Sequence, residues 1–150
     1  MENQKLVIEI VRPAGEKGKF ISGKASVRTT RAGGAYMKRS NFEKATTAAG
    51  RAAIPAGWQS GGVFAVKIEC FFAIEAGCNK REAELKSGGW FVKKPDADNI
   101  AKGVLDALVR AGVLADDAPV AELEVRKFYN IQKSEPPAVI ITIERLSDCF

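Results

Sequence analysis

The sequence predicts an α+β fold, with one domain over residues 1–150, a mostly antiparallel or mixed sheet, and two main helices on one face. Two patterns support this class. Apolar and polar side chains alternate in several short segments, as in half-buried strands, whereas two longer segments repeat apolar residues at helical spacing. The 150-residue chain is 46% hydrophobic, which is enough for one continuous core.

The predicted strands share this alternation and have glycine or proline near their ends. They are residues 5–11, 19–22, 24–28, 63–73, 121–129 and 138–145. The turn dipeptide Ser22-Gly23 lies between the second and third, so we expect a hairpin or a basic loop there. The last two strands are expected to pair as a terminal hairpin across residues 134–137.

Two helices are predicted from apolar residues that recur every three or four positions. The first is capped by Ser40 or Asn41 and runs to about residue 53, before the helix breaker Pro55. The second covers residues 98–111 and stops at Gly112. Between the fourth strand and this helix, the polar segment 75–94 is expected to be a surface loop with a short helical piece at 80–86.

Charge is distributed unevenly along the chain. The net formal charge is +5, but residues 1–93 carry +8 without any aspartate, whereas residues 94–150 carry −3 and hold all six aspartates. One explanation is a basic region that binds a polyanion, followed by an acidic region that performs acid or metal chemistry on it. The other explanation is that the cations simply keep a small domain soluble.

The chain has no histidine, which excludes histidine general bases, serine-histidine and cysteine-histidine nucleophiles, and histidine metal ligands. Its three cysteines are scattered and odd in number, so neither a disulfide framework nor a zinc site is expected. Any metal must therefore take oxygen ligands. No apolar run is long enough to span a membrane and no secretory leader is evident, so we expect a soluble, cytoplasmic protein with no membrane partner.

The acidic region places its aspartates around the second predicted helix. Asp96 and Asp98 lie at its start, with Asp98 or Asn99 expected near the cap, and Asp116-Asp117 follow its end. If the chain returns beside the helix, these carboxylates meet at one point, an arrangement that suits Mg²⁺. Lys102 lies one turn below Asp98, on the polar side of the helix.

Structural explanations compete with this site. For Asp98 alone, helix capping is the more frequent role. For Lys102, the competing role is a surface ion pair with Asp98 and Asp106, and we expect Asp106 to be structural. Asp116-Asp117 also fits an ordinary turn, although two adjacent like charges favour a nearby counterion.

The order and spacing of these residues resemble a known family. The segment 94–99 reads KPDADN, and the similarity continues through Lys102, the LDAL of 105–108, Asp116-Asp117, Val120 and Lys127. It resembles the signature of RusA-type Holliday junction resolvases, which are common in phages and prophages. The resemblance implies a homodimeric, Mg²⁺-dependent endonuclease, with Mn²⁺ as an alternative metal, that acts in DNA recombination and repair. It implies paired symmetric nicks in four-way branched DNA.

The resemblance also implies roles for individual residues. Asp96, Asp98, Lys102 and Asp117 are then the catalytic residues, and Asp96, Asp98, Asp116 and Asp117 hold the metal. One difference is that Ala118-Pro119 stands where the family often has glutamine after the aspartate pair. Segment 75–94 has no counterpart in the resemblance, and we associate it with substrate preference.

The basic residues expected to bind nucleic acid lie before the acidic region and at its start. They are Lys24, Arg28, Arg31, Lys38, Arg39, Lys93 and Lys94. A second function remains open, namely a non-catalytic DNA- or RNA-binding module with a basic face, in which the aspartates are only caps and turns. Mg²⁺-dependent cleavage distinguishes this module from the nuclease, because both bind DNA.

Overall fold

A computed structural model describes residues 4–23 and 26–148. In chain order, its elements are β1 (Lys5–Val11), β2 (Ser26–Thr29), β3 (Ala35–Lys38), α1 (Asn41–Ala53), β4 (Val63–Phe72), α2 (Lys80–Lys86), α3 (Ala97–Ala111), β5 (Val120–Tyr129) and β6 (Ala138–Ser147). The predicted first strand, first helix and fourth strand are confirmed, and so is the short helix at residues 80–86.

The main sheet has the strand order β1-β6-β4-β5 and is mixed. β6 pairs antiparallel with both β1 and β4, whereas β4 and β5 are parallel. The parallel pair follows from the connection through α3, because a helical crossover returns the chain in the direction of the first strand. The predicted α+β class with a mixed sheet is therefore confirmed.

The predicted terminal hairpin is wrong, because β5 and β6 lie on opposite sides of β4. The buried side chain of Asn130 stabilises the connection by donating to the carbonyl oxygens of Glu135 at 3.1 Å and Pro136 at 3.0 Å. The Asn130 backbone N–H also donates to the carbonyl of Phe72, the last residue of β4. These bonds guide the chain across the end of β4 instead of turning it back on β5.

The predicted hairpin around Ser22-Gly23 is also wrong in position. The hairpin is formed by β2 and β3, and its turn contains Gly33 at φ 87°, with the N–H of Gly34 donating to the Thr30 hydroxyl at 3.0 Å. Glycine suits this positive φ. Phe20 and Ile21 are buried in the core instead of forming a strand. Lys24, in the predicted second arm, lies outside the described residues.

The core lies between one face of the main sheet and the two long helices. Alternate residues of β1, β4 and β6 are buried in it together with Phe42 of α1 and the apolar stripe of α3. The helices approach closely where a Cβ on Gly50 would lie 3.2 Å from Ala111 Cβ. They are also joined by an ion pair between buried Glu43 and Arg110, with Oε1 and Nη1 2.8 Å apart. This packing agrees with two main helices on one face.

Across the described ranges, none of the helices combines the length and the apolar character that a membrane crossing requires. Cys70 and Cys78 are both buried free thiols, and burial raises the pKa of Cys70 to about 12. These two cysteines are therefore core residues and not partners in a disulfide.

Candidate active site

Helix α3 begins at Ala97, one residue earlier than predicted, and its N-cap residue is Asp96 instead of Asp98 or Asn99. Pro95 disfavours a helical conformation at Lys94, so the helix can begin only after Lys94. The Asp96 side chain makes no capping hydrogen bond; it is 55% exposed, and its Oδ2 lies 3.9 Å from Lys94 Nζ. Asp98 is exposed in the first helical turn. Both carboxylates are therefore available to a ligand at the start of α3.

Lys127 of β5 holds the segment that precedes Asp96. Its ammonium group donates to the carbonyl oxygens of Lys93 at 2.6 Å and Pro95 at 2.7 Å. It also lies 5.4 Å from the centre of the Phe91 ring. Charge-assisted bonds of this kind are stronger than neutral ones. Lys127 thereby positions the start of α3, a role that the sequence pattern alone did not indicate.

Lys102 lies between two carboxylates on the polar side of α3. Its Nζ is 3.0 Å from Asp106 Oδ1 and 3.3 Å from Asp117 Oδ2. These hydrogen bonds, first to Asp106 and then to Asp117, raise the pKa of Lys102 above its usual value. The expected pair with Asp106 is present, whereas the second partner is Asp117 from the next segment of the chain. Lys102 thus remains a cation that joins α3 to the Asp116-Asp117 turn.

The Asp116-Asp117 turn connects the end of α3 to β5. The Asp117 N–H donates to Asp116 Oδ1 at 2.7 Å, and the Val120 N–H donates to the Asp117 carbonyl at 3.1 Å. A side-chain hydrogen bond with the Asp116 carboxyl group, followed by the bond from the Lys102 ammonium, holds the pKa of Asp117 below its usual range. Asp117 is therefore an ionised carboxylate at neutral pH and can serve as an oxygen ligand or an ion-pair partner.

The carboxylates of Asp96, Asp98 and Asp117 are oxygen donors of the type that Mg²⁺ prefers. In residues 4–23 and 26–148, no three acidic or cysteine side chains lie close enough together to enclose a metal ion. Mg²⁺ sites commonly use only one or two protein carboxylates and complete the octahedron with water and substrate phosphate. Exposed Asp96 and Asp98, together with Asp117, fit such an open site in the chemistry of their donors.

Segment 20–23 packs directly against the start of α3. A Cβ built on Gly23 would lie 2.9 Å from Asn99 Cβ, so only glycine allows this approach without a shift. Ser22 Oγ donates to Ser40 Oγ at 2.7 Å and thereby joins the same segment to the cap of α1. Ser22-Gly23 was predicted as a turn; its contribution is instead to bring the basic N-terminal region next to Asn99.

The predicted nucleic-acid-binding residues occupy two places on the surface. Arg31 lies exposed in the β2–β3 turn, and exposed Lys38 and Arg39 line a shallow cavity of about 420 Å³ at the start of α1. Lys93 and Lys94 lie beside the aspartates, and Lys94 is 88% exposed. Arg28 lies in β2, and Lys24 is outside the described residues.

Glu75 is the centre of a polar network that sequence reasoning missed. Its carboxylate lies 2.6 Å from Lys93 Nζ, 3.0 Å from Lys86 Nζ and 3.2 Å from the Tyr129 hydroxyl. The hydrogen bond from Lys93 is the main cause that lowers the pKa of Glu75 well below its usual value. The network ties segment 75–94 to β5, so this segment has a defined conformation beside the aspartates.

Glu75→Gln is expected to lower the free energy of unfolding by about 1 kcal/mol at neutral pH, since the network is partly exposed and screened. The pKa of Glu75 in the folded state lies below the ordinary value of 4.5. Ionised Glu75 therefore stabilises the fold fully above pH 4.5, and this stabilisation is lost as the pH falls from 4.5 through the folded-state pKa. The difference between wild type and variant in denaturant unfolding should therefore shrink as the pH falls below 4.5. A constant difference, or an equal effect of exposed Glu84→Gln, would contradict this account.

The fold and this site define a class of protein. It is an α+β domain in which aspartates and Lys102 lie on and beside one helix, with further lysine side chains next to its start. The model of the endodeoxyribonuclease RusA family matches residues 21–144, and the chain belongs to that family. The family consists of endonucleases that resolve Holliday junctions. A stretch of 54 residues is 46% identical to the uncharacterized protein YqaN of Bacillus subtilis (strain 168), covering 36% of this chain and 34% of YqaN.

Proposed function

We propose that residues 1–150 form one endonuclease domain that resolves Holliday junctions by Mg²⁺-dependent, paired symmetric nicks. Family membership supports the reaction class. The observation that carries the residue assignment is the contact of 3.3 Å between Lys102 and Asp117, because it brings the turn after α3 to the helix that begins with Asp96 and Asp98. The substrate is four-way branched DNA.

The proposed division of roles follows from the chemistry of each side chain. Asp96, Asp98 and Asp117 would hold the metal, with Asp116 adjacent, and Mn²⁺ would substitute for Mg²⁺. When bound, the cation supplies charge neutralisation at the scissile phosphate and lowers the pKa of water. Lys102 stabilises negative charge that develops on the phosphate. Lys93 and Lys94 contact the neighbouring backbone phosphates through charge, without reading sequence.

The alternative is a DNA- or RNA-binding module without catalysis. It is favoured by one observation, namely that Lys102 already pairs with Asp106 and Asp117, as a lysine does in an ordinary surface ion-pair network. A labelled four-way junction incubated with the protein, with Mg²⁺ or with a chelator, separates the two functions. The nuclease yields nicked strands only with Mg²⁺, whereas the module binds the junction and leaves it intact in both conditions.

Paired nicks require two active sites, and one chain offers one aspartate group, so the functional unit is proposed to be a homodimer. The outer sheet face, opposite the helices, includes exposed Val7 of β1 and offers apolar surface to a second copy. Light scattering is expected to give the mass of two chains, alone and on a junction. A monomer in both states would leave at most a single-strand nickase.

Junction binding should also weaken steeply with salt, because many phosphates are contacted.

Lys127→Met is expected to reduce junction nicking by about 10- to 100-fold, because small misplacement of reacting groups has effects of that size. The variant removes both bonds that hold the segment before Asp96. Nicking rates and melting temperatures should be measured beside Lys80→Met, which changes an exposed lysine on α2, and Lys127→Arg, which keeps the charge. Equal nicking by Lys127→Met and wild type would show that Lys127 does not position the site.

A further inference from the structure

A cleft of about 730 Å³ opens next to the proposed catalytic aspartates. It lies between Arg12 with residues 18–21, the end of β4 with residues 73–76, segment 91–95 and loop 133–137. Pro95 is part of its wall, and Asp96 is the next residue along the chain. Its volume lies within the range of sites that hold small organic groups. We call it the Phe72–Phe91 cleft, after two aromatic residues that line it.

The floor of the Phe72–Phe91 cleft is apolar. The rings of Phe72 and Phe91 are stacked, with centroids 3.8 Å apart and planes within 4°. Phe20, Ile21 and Ile74 complete the floor, and all of these side chains belong to the core. A floor anchored in the core keeps its shape when a ligand enters, so it offers a rigid apolar surface to a flat group.

The rim of the same cleft is cationic. It carries Arg12, Lys19, Lys93, Lys94 and Lys133. Two acids also line the cleft: Glu75, which is paired with Lys93 and Lys86, and Glu135, whose carboxylate oxygen accepts the Gln132 N–H at 2.8 Å. The five cations of the lining still outnumber these two acids. The combination of an apolar floor and a cationic rim matches a nucleotide, whose base is flat and apolar on its faces and whose phosphates are anionic.

We propose that the Phe72–Phe91 cleft binds one unstacked nucleobase of the DNA strand that is cut, while the adjoining phosphates lie on its cationic rim. This inference rests on the proposed nuclease function. A base in the cleft fixes the backbone beside Asp96, because Asp96 directly follows Pro95 of the cleft wall. Bases at a branch point are easier to unstack than bases in a continuous duplex. The cleft would thus favour branched over linear DNA.

The test fills the cleft in the full-length protein. Ala73 is half-buried and lines the wall, so Ala73→Trp places an indole in the space proposed for the base. The matched control is Ala14→Trp, at an exposed position outside the cleft lining. Four-way junctions carry 2-aminopurine at each nucleotide flanking the nick, and its fluorescence reports unstacking. Binding is measured at saturating protein without divalent metal, with excitation that tryptophan does not absorb.

With wild type and Ala14→Trp, the fluorescence of at least one flanking 2-aminopurine is expected to rise several-fold on binding. With Ala73→Trp it should remain near that of the free junction, and nicking with Mg²⁺ should fall about 5- to 100-fold. If Ala73→Trp does not fold, Ser134→Trp at the exposed rim replaces it. An equal rise with the filled cleft, or no rise with wild type that still nicks, would overturn the inference. A wild type that does not nick would instead overturn the proposed function.

Discussion

Asp96→Asn is expected to abolish nicking of four-way junctions while binding them as tightly as wild type or more tightly. The amide keeps the shape of the side chain but removes the negative charge that a cation needs. Binding is retained because one repulsion between carboxylate and phosphate disappears. Folding should change little, since Asp96 makes no capping bond to α3 and its described ion pair, with Lys94, is long at 3.9 Å.

Strand cleavage and equilibrium binding should be measured on the same junction, with Asp98→Asn in parallel and the same loss expected. The matched control is Glu84→Gln, which neutralises an exposed acid of α2 and should nick as wild type does. Full cleavage by either aspartate variant would remove that residue from the proposed site. Loss of binding together with cleavage would point to a structural role.

Lys102→Ala is expected to fold normally and to nick about 10² to 10³ times more slowly than wild type, the usual effect of losing an electrostatic stabiliser. Its side chain is 51% exposed, and its described ion pairs are with Asp106 and Asp117, so no core packing is lost. Because exposed ion pairs stabilise folds weakly, the melting temperature should stay close to that of wild type.

Single-turnover rates and thermal melts of Lys102→Ala should be compared with those of Lys80→Ala, an exposed lysine on α2. Lys102→Arg, which retains the charge, is expected to recover part of the rate. A melting temperature far below wild type would identify Lys102 as a structural residue. An unchanged nicking rate would mean that the Lys102–Asp117 contact has no role in catalysis.

The elements with strong local signals were predictable. The alternation in β1 and β4 and the Ser40 cap of α1 are properties of neighbouring residues, and the structure confirms them. Strand pairing depends on contacts far apart in sequence. No local pattern indicated that β6 lies between β1 and β4, so the expected β5–β6 hairpin was wrong.

The same distinction applies to the candidate site. Helical spacing predicted that Lys102 and Asp106 share one side of α3, and their contact is present. The bonds from Lys127 to the segment before Asp96, and the approach of Gly23 to Asn99, join separate parts of the chain. These supporting contacts have no signature at fixed spacing, so only the folded structure could reveal them.

Mapping the nicks made by wild type in a four-way junction labelled on each strand, with Mg²⁺, tests the central claim most directly. The account predicts one nick at symmetric positions in each of two opposing strands, with ends that ligase can reseal. A linear duplex of the same sequence should remain largely intact. A junction that is bound but uncut, or equal cutting of the linear duplex, would contradict the account.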